Sequence, residues 1–243
     1  MNPRLSDLWV YLATTPLLGL TITLLAYQFA YLVYTRARYS PFANPVPIAV
    51  AILATILTLT GTPYATYFEG AKFVHFLLGP ATVALAVPLY LQWDKLKKLA
   101  VPLLAGLTAG ALAAIVSATG LAWALGASKS TILSLAPKSV TMPIAMGISE
   151  KIGGIPPLTA VMVMATGIIG AVIARQLLVG LLHIETHWIR GLAVGTAAHG
   201  IGTARAFLVS EEAGAFSGLA MGLNGLATSA ALPILLALWS GVS

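Results

Sequence analysis

The sequence contains no cysteine, which excludes a disulfide framework, a thiolate metal site and a cysteine nucleophile. Charge is scarce as well: 8% of the 243 residues are charged, 58% are hydrophobic, and the mean hydropathy is +0.92. A water-soluble domain of this size needs many more charged side chains to cover its surface. The composition therefore predicts a chain with almost no soluble part, whose solvent is the lipid bilayer.

The few charges are mostly basic, with 13 Lys and Arg against 7 Asp and Glu, a formal net charge of +6. They fall mainly between apolar segments, as in loops that hold a membrane topology by keeping positive charge in the cytoplasm. This pattern predicts a multi-pass protein of the plasma (inner) membrane and argues against nucleic acid as a partner.

Eight apolar segments follow one another along the chain, and most approach the ~20 residues that a helix needs to cross the hydrocarbon core. They predict an all-α, polytopic transmembrane helical bundle that forms a single membrane domain over residues 1–243. The segments are residues 8–34, 46–64, 72–91, 99–125, 131–150, 158–182, 189–209 and 214–239.

The basic connections indicate the orientation of the chain. Arg36 and Arg38 close the first segment, and the run DKLKK at 94–98 follows the third. Both connections should be cytoplasmic, which places the N-terminus outside. If all eight segments cross the membrane, Lys151 lies on the cytoplasmic side, whereas Lys129 and Arg190 lie outside.

Three of the eight segments carry proline, glycine or charge near their middle. Proline removes a helical donor and glycine loosens the backbone, so we expect the helix to break at these points. Non-helical backbone at membrane depth is tolerated only where protein buries it or where it lines a watery cavity. The predicted break residues are Pro80 in the third segment, Pro137 and Pro143 in the fifth, and Gly200 and Gly202 in the seventh.

The first two breaks resemble each other at an offset of 57 residues. This offset aligns Pro80 with Pro137 and Thr82 with Ser139. The hypothesis is an internal repeat, a duplicated unit of broken helix plus spanning helix, which many transporters use to build a site near the membrane midplane.

Lys138 and Arg205 lie inside apolar segments, where a cation costs at least ~2.5 kcal/mol at the bilayer centre. Hydroxyls surround them, and broken helices offer free backbone N–H groups that attract carboxylates and phosphates. Together these features suit a small carboxylate. The predicted substrate-binding residues are Lys138, Arg205, Ser139, Thr141, Thr82 and Thr203.

Structural alternatives stand beside these roles. The two cations would lock helices together by pairing with Glu150, Glu211 or backbone carbonyls, and Arg205 is near enough to a segment end to extend toward the headgroups.

The histidines allow two roles each. His199 is the only histidine within a predicted break, which favours proton coupling, with a hydrogen-bonded packing role as the alternative. His183 and His187 have the spacing of a metal pair but lack a third ligand, so no metal or other cofactor is expected. Motifs for an intramembrane hydrolase or protease are missing too, and we do not expect an enzyme.

Several phrases of this sequence closely resemble the LrgB/CidB family, in the family's order and across nearly the whole chain. They are LGPATVALAVPLY at 78–90, LAPKSVTMPIAM at 135–146, IGGIP at 152–156, HGIGTARA at 199–206 and EAGAFS at 212–217. One departure is Met142, where the family pattern leads us to expect a small hydroxyl residue.

The resemblance implies two functions. Bacterial members are commonly described as antiholin-like proteins that modulate murein hydrolases and autolysis beside a small LrgA/CidA-type membrane partner, with which a homo- or hetero-oligomer is expected. A plant relative, the plastidic glycolate/glycerate translocator, implies transport of a small monocarboxylate such as glycolate, glycerate, pyruvate or lactate. Cations and broken helices at membrane depth favour transport, with control of lysis as the alternative.

Overall fold

The computed structural model describes residues 16–84 and 86–240, so the predicted start of the first apolar segment at Leu8 lies outside the described residues. Within the described part the chain is helical and contains no strand. The all-α membrane class is therefore confirmed. Contacts divide the chain into two compact units, Met1–Ala84 and Leu85–Ser243, whereas the single domain over 1–243 stays a prediction.

The first unit packs its second and third helices against its first. Asn44 caps α2 by accepting a hydrogen bond from the Val46 N–H, and Gly61 ends this helix in the left-handed conformation. Helices α1 and α3 touch closely, since a Cβ on Gly19 would lie 2.4 Å from the Tyr67 carbonyl oxygen. The helices are α1 Pro16–Arg36, α2 Pro45–Thr60, α3 Tyr64–Phe76 and α4 Leu78–Ala84, with a 3-10 turn at Pro41–Ala43.

The second unit contains long helices and two interrupted ones. Its helices are α5 Ala86–Leu91, α6 Trp93–Ala124, α7 Lys129–Leu135, α8 Met142–Ile152, α9 Pro156–Arg175, α10 His187–Phe207 and α11 Glu211–Ser240, and a π-helical turn, Gln176–Leu181, extends α9.

Four helices among the described residues are long and apolar enough to cross a membrane. The expected eight crossings are not confirmed, because the third and fifth segments are divided into short helices and the second forms the 16-residue helix α2. The seventh segment reverses direction at its middle, at His199. The candidate spans are Leu17–Arg36, Trp93–Ala124, Pro156–Leu181 and Glu211–Ile234.

Helices α6 and α11 run in the same direction. Lys95, in the first turn of α6, pairs with Glu212 in the first turn of α11. Further along, Leu107 packs in one cluster with Phe216 and Ala220. We call the end of the second unit that holds this ion pair the Lys95 end, and the opposite end, where α6 stops, the Ala124 end.

Helix α10 reverses direction at His199, and its two arms lie side by side along α11. In the first arm, Gly191 faces Ala213 and Gly195 faces Ser217, a parallel order. In the second arm the order is antiparallel, because Thr203 meets Ser217 and Phe207 meets Gly214. Residues 187–207 therefore form a re-entrant hairpin, hairpin 2, which begins and ends at the Lys95 end.

Glycines allow this close packing. A Cβ on Gly195 would lie 2.1 Å from the Ser217 carbonyl oxygen, and one on Gly202 would lie 3.1 Å from the carbonyl oxygen of Val194 in the opposite arm. No side chain fits at either contact without moving backbone. The small residues of this segment therefore bring helices into direct backbone contact, which a straight span would not need.

The fifth segment also turns back on itself. It leaves α6 at the Ala124 end through Gly126 in the left-handed conformation, and the backbone is non-helical between α7 and α8. The Ile155 N–H, at the start of α9, then donates to the Ser134 hydroxyl of α7 at 2.7 Å. Residues 129–152 therefore form a second re-entrant hairpin, hairpin 1, whose two ends lie at the Ala124 end.

Because two segments form re-entrant hairpins, two loop cations lie on the opposite side from the one expected for eight full crossings. Hairpin 1 places Lys151 at the same end as Lys129, and α9 then carries the chain back to the Lys95 end, where Arg190 follows. Six cations of the second unit now belong to the Lys95 end or to the helix halves nearest to it, and by the positive-inside rule we expect that end to be cytoplasmic. They are Lys95, Lys97, Lys98, Arg175, Arg190 and Arg205.

Single-cysteine labelling can test this topology without background, since the chain has no cysteine. With a membrane-impermeant maleimide, Arg190→Cys should react only in inside-out vesicles and Lys151→Cys only in right-side-out vesicles. Lys129→Cys is the control, because it lies outside in both arrangements. Labelling of Lys151→Cys from the cytoplasmic side would restore a full crossing of the fifth segment.

Candidate functional site

The candidate site lies where the tips of the two hairpins meet beside the middle of α11. The tip of hairpin 1 is the stretch 136–141 between α7 and α8, where Lys138 N–H bonds to the Leu135 carbonyl and Val140 N–H to the Pro137 carbonyl. Pro137 is fully buried in this turn. Pro143, by contrast, occupies the first turn of α8, where its missing N–H costs nothing.

Lys138 stands at the tip of hairpin 1 and is half-buried. Its Nζ donates to the Ser139 hydroxyl at 3.3 Å. In the part of the chain that the structure describes, no carboxylate lies within ion-pair distance of this ammonium, so the alternative in which Lys138 pairs with Glu150 or Glu211 is not observed.

His199 forms the tip of hairpin 2 and is the residue at which the chain reverses. Its φ of 40° and ψ of −134° lie in a region that residues with a side chain rarely adopt. The side chain is buried, and its Nε2 lies 2.9 Å from the Val163 carbonyl oxygen of α9, to which it donates. A Cβ on Gly167 would come within 2.8 Å of the ring, so the ring fits because position 167 is glycine.

Asn224 of α11 joins the two tips, and it was not among the residues that the sequence singled out. Its side-chain nitrogen donates to the Ser139 carbonyl at 3.3 Å and to the Thr196 carbonyl at 3.0 Å. Its oxygen accepts from the Thr228 hydroxyl at 3.3 Å. The side chain is 1% exposed, and one amide thus satisfies carbonyls of both interrupted helices.

Thr203 supports the tip of hairpin 2 from within. Its hydroxyl donates to the His199 carbonyl at 2.8 Å and lies 2.9 Å from the Ser217 hydroxyl. These bonds occupy the hydroxyl, which joins the start of the second arm to α11 and is buried rather than turned toward solvent.

Three buried hydroxyls, which the sequence did not single out, hold the base of hairpin 1. Thr159 donates to the Ser134 carbonyl at 3.0 Å and lies 2.7 Å from the Ser149 hydroxyl. All three side chains are fully buried. A Cβ on Gly154 would lie 2.4 Å from the Ser149 hydroxyl, so the turn into α9 packs directly on this cluster.

The other predicted residues lie at varying distances from the tips. Thr141 is half-buried at the start of α8, and its side chain makes no capping hydrogen bond. Arg205 is half-buried in the last turn of α10. Gly200 and Gly202 follow the reversal at His199 without positive φ values. Pro80 and Thr82 belong to α4 of the first unit, and the Thr82 side chain lies outside the described residues.

His183 and His187 flank an exposed loop after the π-helical turn. Within the described ranges, no three His, Asp or Glu side chains are grouped so as to hold a metal ion.

The arrangement of helix ends favours an anion at the tips. Helix α8 and the second arm of α10 both begin there, and the first-turn N–H groups of a helix carry partial positive charge. Two carbonyls at the tips, those of Ser139 and Thr196, accept hydrogen bonds from the Asn224 amide. Donors and the Lys138 ammonium thus remain to face a negatively charged group.

Comparison with known proteins identifies relatives along most of the chain. The LrgB-like family profile matches residues 23–238. The chain is 39% identical over 220 residues to the uncharacterized protein YwbG of Bacillus subtilis, covering 90% of this chain and 97% of that protein.

Two further relatives are similar over most of their length. The uncharacterized protein YxaC of Bacillus subtilis is 37% identical over 202 residues, 83% of this chain and 87% of its own. The antiholin-like protein LrgB of Bacillus mycoides is 32% identical over 225 residues, 90% of this chain and 95% of its own. No solved structure matches the chain. With a profile that spans most of its residues, this chain belongs to the LrgB-like family.

Proposed function

We propose that the protein is a transporter or facilitator for a small monocarboxylate of the glycolate, glycerate, pyruvate or lactate class, and not an enzyme. The observation that carries the proposal is Lys138, a cation at the junction of two re-entrant hairpins with no carboxylate partner in the described part of the chain. An intramembrane cation requires a counter-charge. A substrate carboxylate supplies it.

The groups beside Lys138 suit this substrate class. Ser139 and Thr141 flank the ammonium with hydroxyls, and the first turn of α8 adds backbone donors for a carboxylate oxygen. Both tips bond to the same amide of Asn224, so their backbones approach each other to within the reach of one side-chain amide. A ligand of a few heavy atoms with one negative charge fits such a place better than a large dianion.

Arg205 has a different part in this proposal. It lies six residues after the reversal, about 9 Å along the helix axis toward the Lys95 end. From there it attracts the anion toward the tip rather than sharing the carboxylate with Lys138. Thr203 holds the tip in place, and His199 carries the proton of a coupled substrate.

An antiholin-like regulator of murein hydrolases and autolysis is the second candidate. The printed name of the relative from Bacillus mycoides favours it. Both candidates involve a small LrgA/CidA-type membrane protein as the partner, in a homo- or hetero-oligomer. They differ in what crosses the membrane: a selective site transports one class of anion, whereas a lysis component changes permeability without selecting a solute.

Uptake of labelled glycolate or pyruvate into proteoliposomes, with and without the small partner, separates the two candidates. A transporter gives saturable uptake that an excess of unlabelled monocarboxylate competes away. Non-selective leakage, or no flux in either preparation, would contradict the transport proposal and support control of lysis.

Replacing the tip cation tests the site. Lys138→Met should insert and remain folded, because no buried acid loses its partner and a costly cation leaves the membrane. Uptake at low substrate concentration should fall ~10- to 100-fold with the loss of a charge-assisted hydrogen bond. Lys138→Arg should restore it only partly, since a planar guanidinium does not occupy the place of a compact ammonium.

Lys95→Met is the matched control for this experiment. It removes a lysine whose partner is Glu212 at the Lys95 end, away from the tips, and uptake should persist. Protein level and uptake are measured in the same vesicles. A stable Lys138→Met variant with full activity would refute the anion site.

Proton coupling through His199 is tested by its conservative replacement. In His199→Gln the side-chain amide can still donate to the Val163 carbonyl, so the fold should persist. The pH dependence of uptake between about pH 5 and 8, the range in which imidazole changes charge, should flatten. His187→Gln, at an exposed histidine, is the control. An unchanged pH profile would leave His199 with a packing role alone.

A further inference from the structure

We infer that Asn224 is a positioning residue that ties the tips of the two hairpins together, so that neither tip moves away without breaking a bond to this amide. The inference depends on the proposed function only where it concerns transport. The geometry itself belongs to the described residues of α11, hairpin 1 and hairpin 2.

Every hydrogen-bonding group of the Asn224 amide is engaged. A primary amide has two N–H donors, and here one faces the Ser139 carbonyl and the other the Thr196 carbonyl. The Thr228 hydroxyl donates to the amide oxygen from the next turn of α11, which leaves both amide donors to the hairpins. A substrate carboxylate finds no free donor on Asn224, so we assign this residue the role of positioning other residues.

The two carbonyls belong to the residues that matter for the site. Ser139 directly follows Lys138, and its backbone position determines where the ammonium stands. Thr196 lies one turn before His199, at the point where the helical ladder of α10 is interrupted. Asn224 therefore ties the backbone beside the cation of one hairpin to the backbone beside the imidazole of the other.

The base of hairpin 1 is fastened independently of Asn224. The hydroxyls of Ser134, Ser149 and Thr159 bond to one another and to nearby backbone. Loss of the amide should therefore free the tip while the base stays in place. This difference distinguishes a positioning role from a general contribution to folding.

The experiment uses single cysteines in the otherwise cysteine-free chain, reconstituted in nanodiscs so that both faces are accessible. Ser139→Cys reports on the tip, which is 7% exposed, and Ser149→Cys reports on the base, which is fully buried. Each is combined with Asn224→Leu, which keeps the approximate volume of the side chain but removes both donors. Thr228→Val is the matched control, because it leaves both bonds to the hairpins intact.

We expect the maleimide to label Ser139→Cys about tenfold faster or more in the Asn224→Leu background, the factor that corresponds to losing two buried hydrogen bonds. Ser149→Cys should stay protected, and Thr228→Val should change neither rate by more than about twofold. Faster labelling of both cysteines would make Asn224 a residue for folding alone. Unchanged labelling of Ser139→Cys would show that other contacts hold the tips. Either result overturns the inference.

Uptake by the same variants links the inference to transport. If the proteoliposomes transport a monocarboxylate, Asn224→Leu should raise the KM of uptake about tenfold, and Thr228→Val should leave it near that of the unmodified chain. An Asn224→Leu variant with freed tips and an unchanged KM would overturn the positioning role in transport. If the unmodified chain transports nothing while labelling at the tip still depends on Asn224, the proposed function fails and the junction stands.

Discussion

The second unit depends on one constraint: a backbone N–H or carbonyl that leaves its helix inside a membrane must find another partner, since lipid offers none. Two helices are interrupted in this unit, and each interruption releases carbonyls. The amide of Asn224 donates a hydrogen bond to a carbonyl of each interrupted segment. The positions of Lys138 and His199, and with them the character of the site, follow from where that amide stands.

The interruptions also bring together helix ends of opposite polarity. Arms that end at the tips present carbonyls, and the Asn224 amide donates to one carbonyl from each hairpin. Arms that begin there present N–H groups, and Lys138 adds a full positive charge. The balance of the junction is therefore positive, although the surrounding helices are almost entirely apolar.

Composition and segment length were sufficient to predict the helical membrane class, because hydropathy directly measures the preference for lipid. They could not give the number of crossings, since a hairpin that enters and leaves on one side has the same hydropathy as a straight span. Proline and glycine marked where helices break but not how far the chain turns; the reversal at His199 depends on Gly202 and on contacts with α11. Asn224 is the one asparagine in any apolar segment, and this alone marks it as a candidate for a buried polar role. Its two acceptors are distant in sequence, so the sequence could not identify them.

The distance in sequence between Ser139 and Asn224, 85 residues, has a consequence for how the protein is made. Hairpin 1 leaves the ribosome long before α11, and until α11 arrives its tip carbonyl has no donor from the chain. Insertion one segment at a time would leave that polar turn in lipid, at a cost that hydrophobic flanks do not remove. The junction between the two hairpins therefore cannot be completed until the last helix has been synthesised.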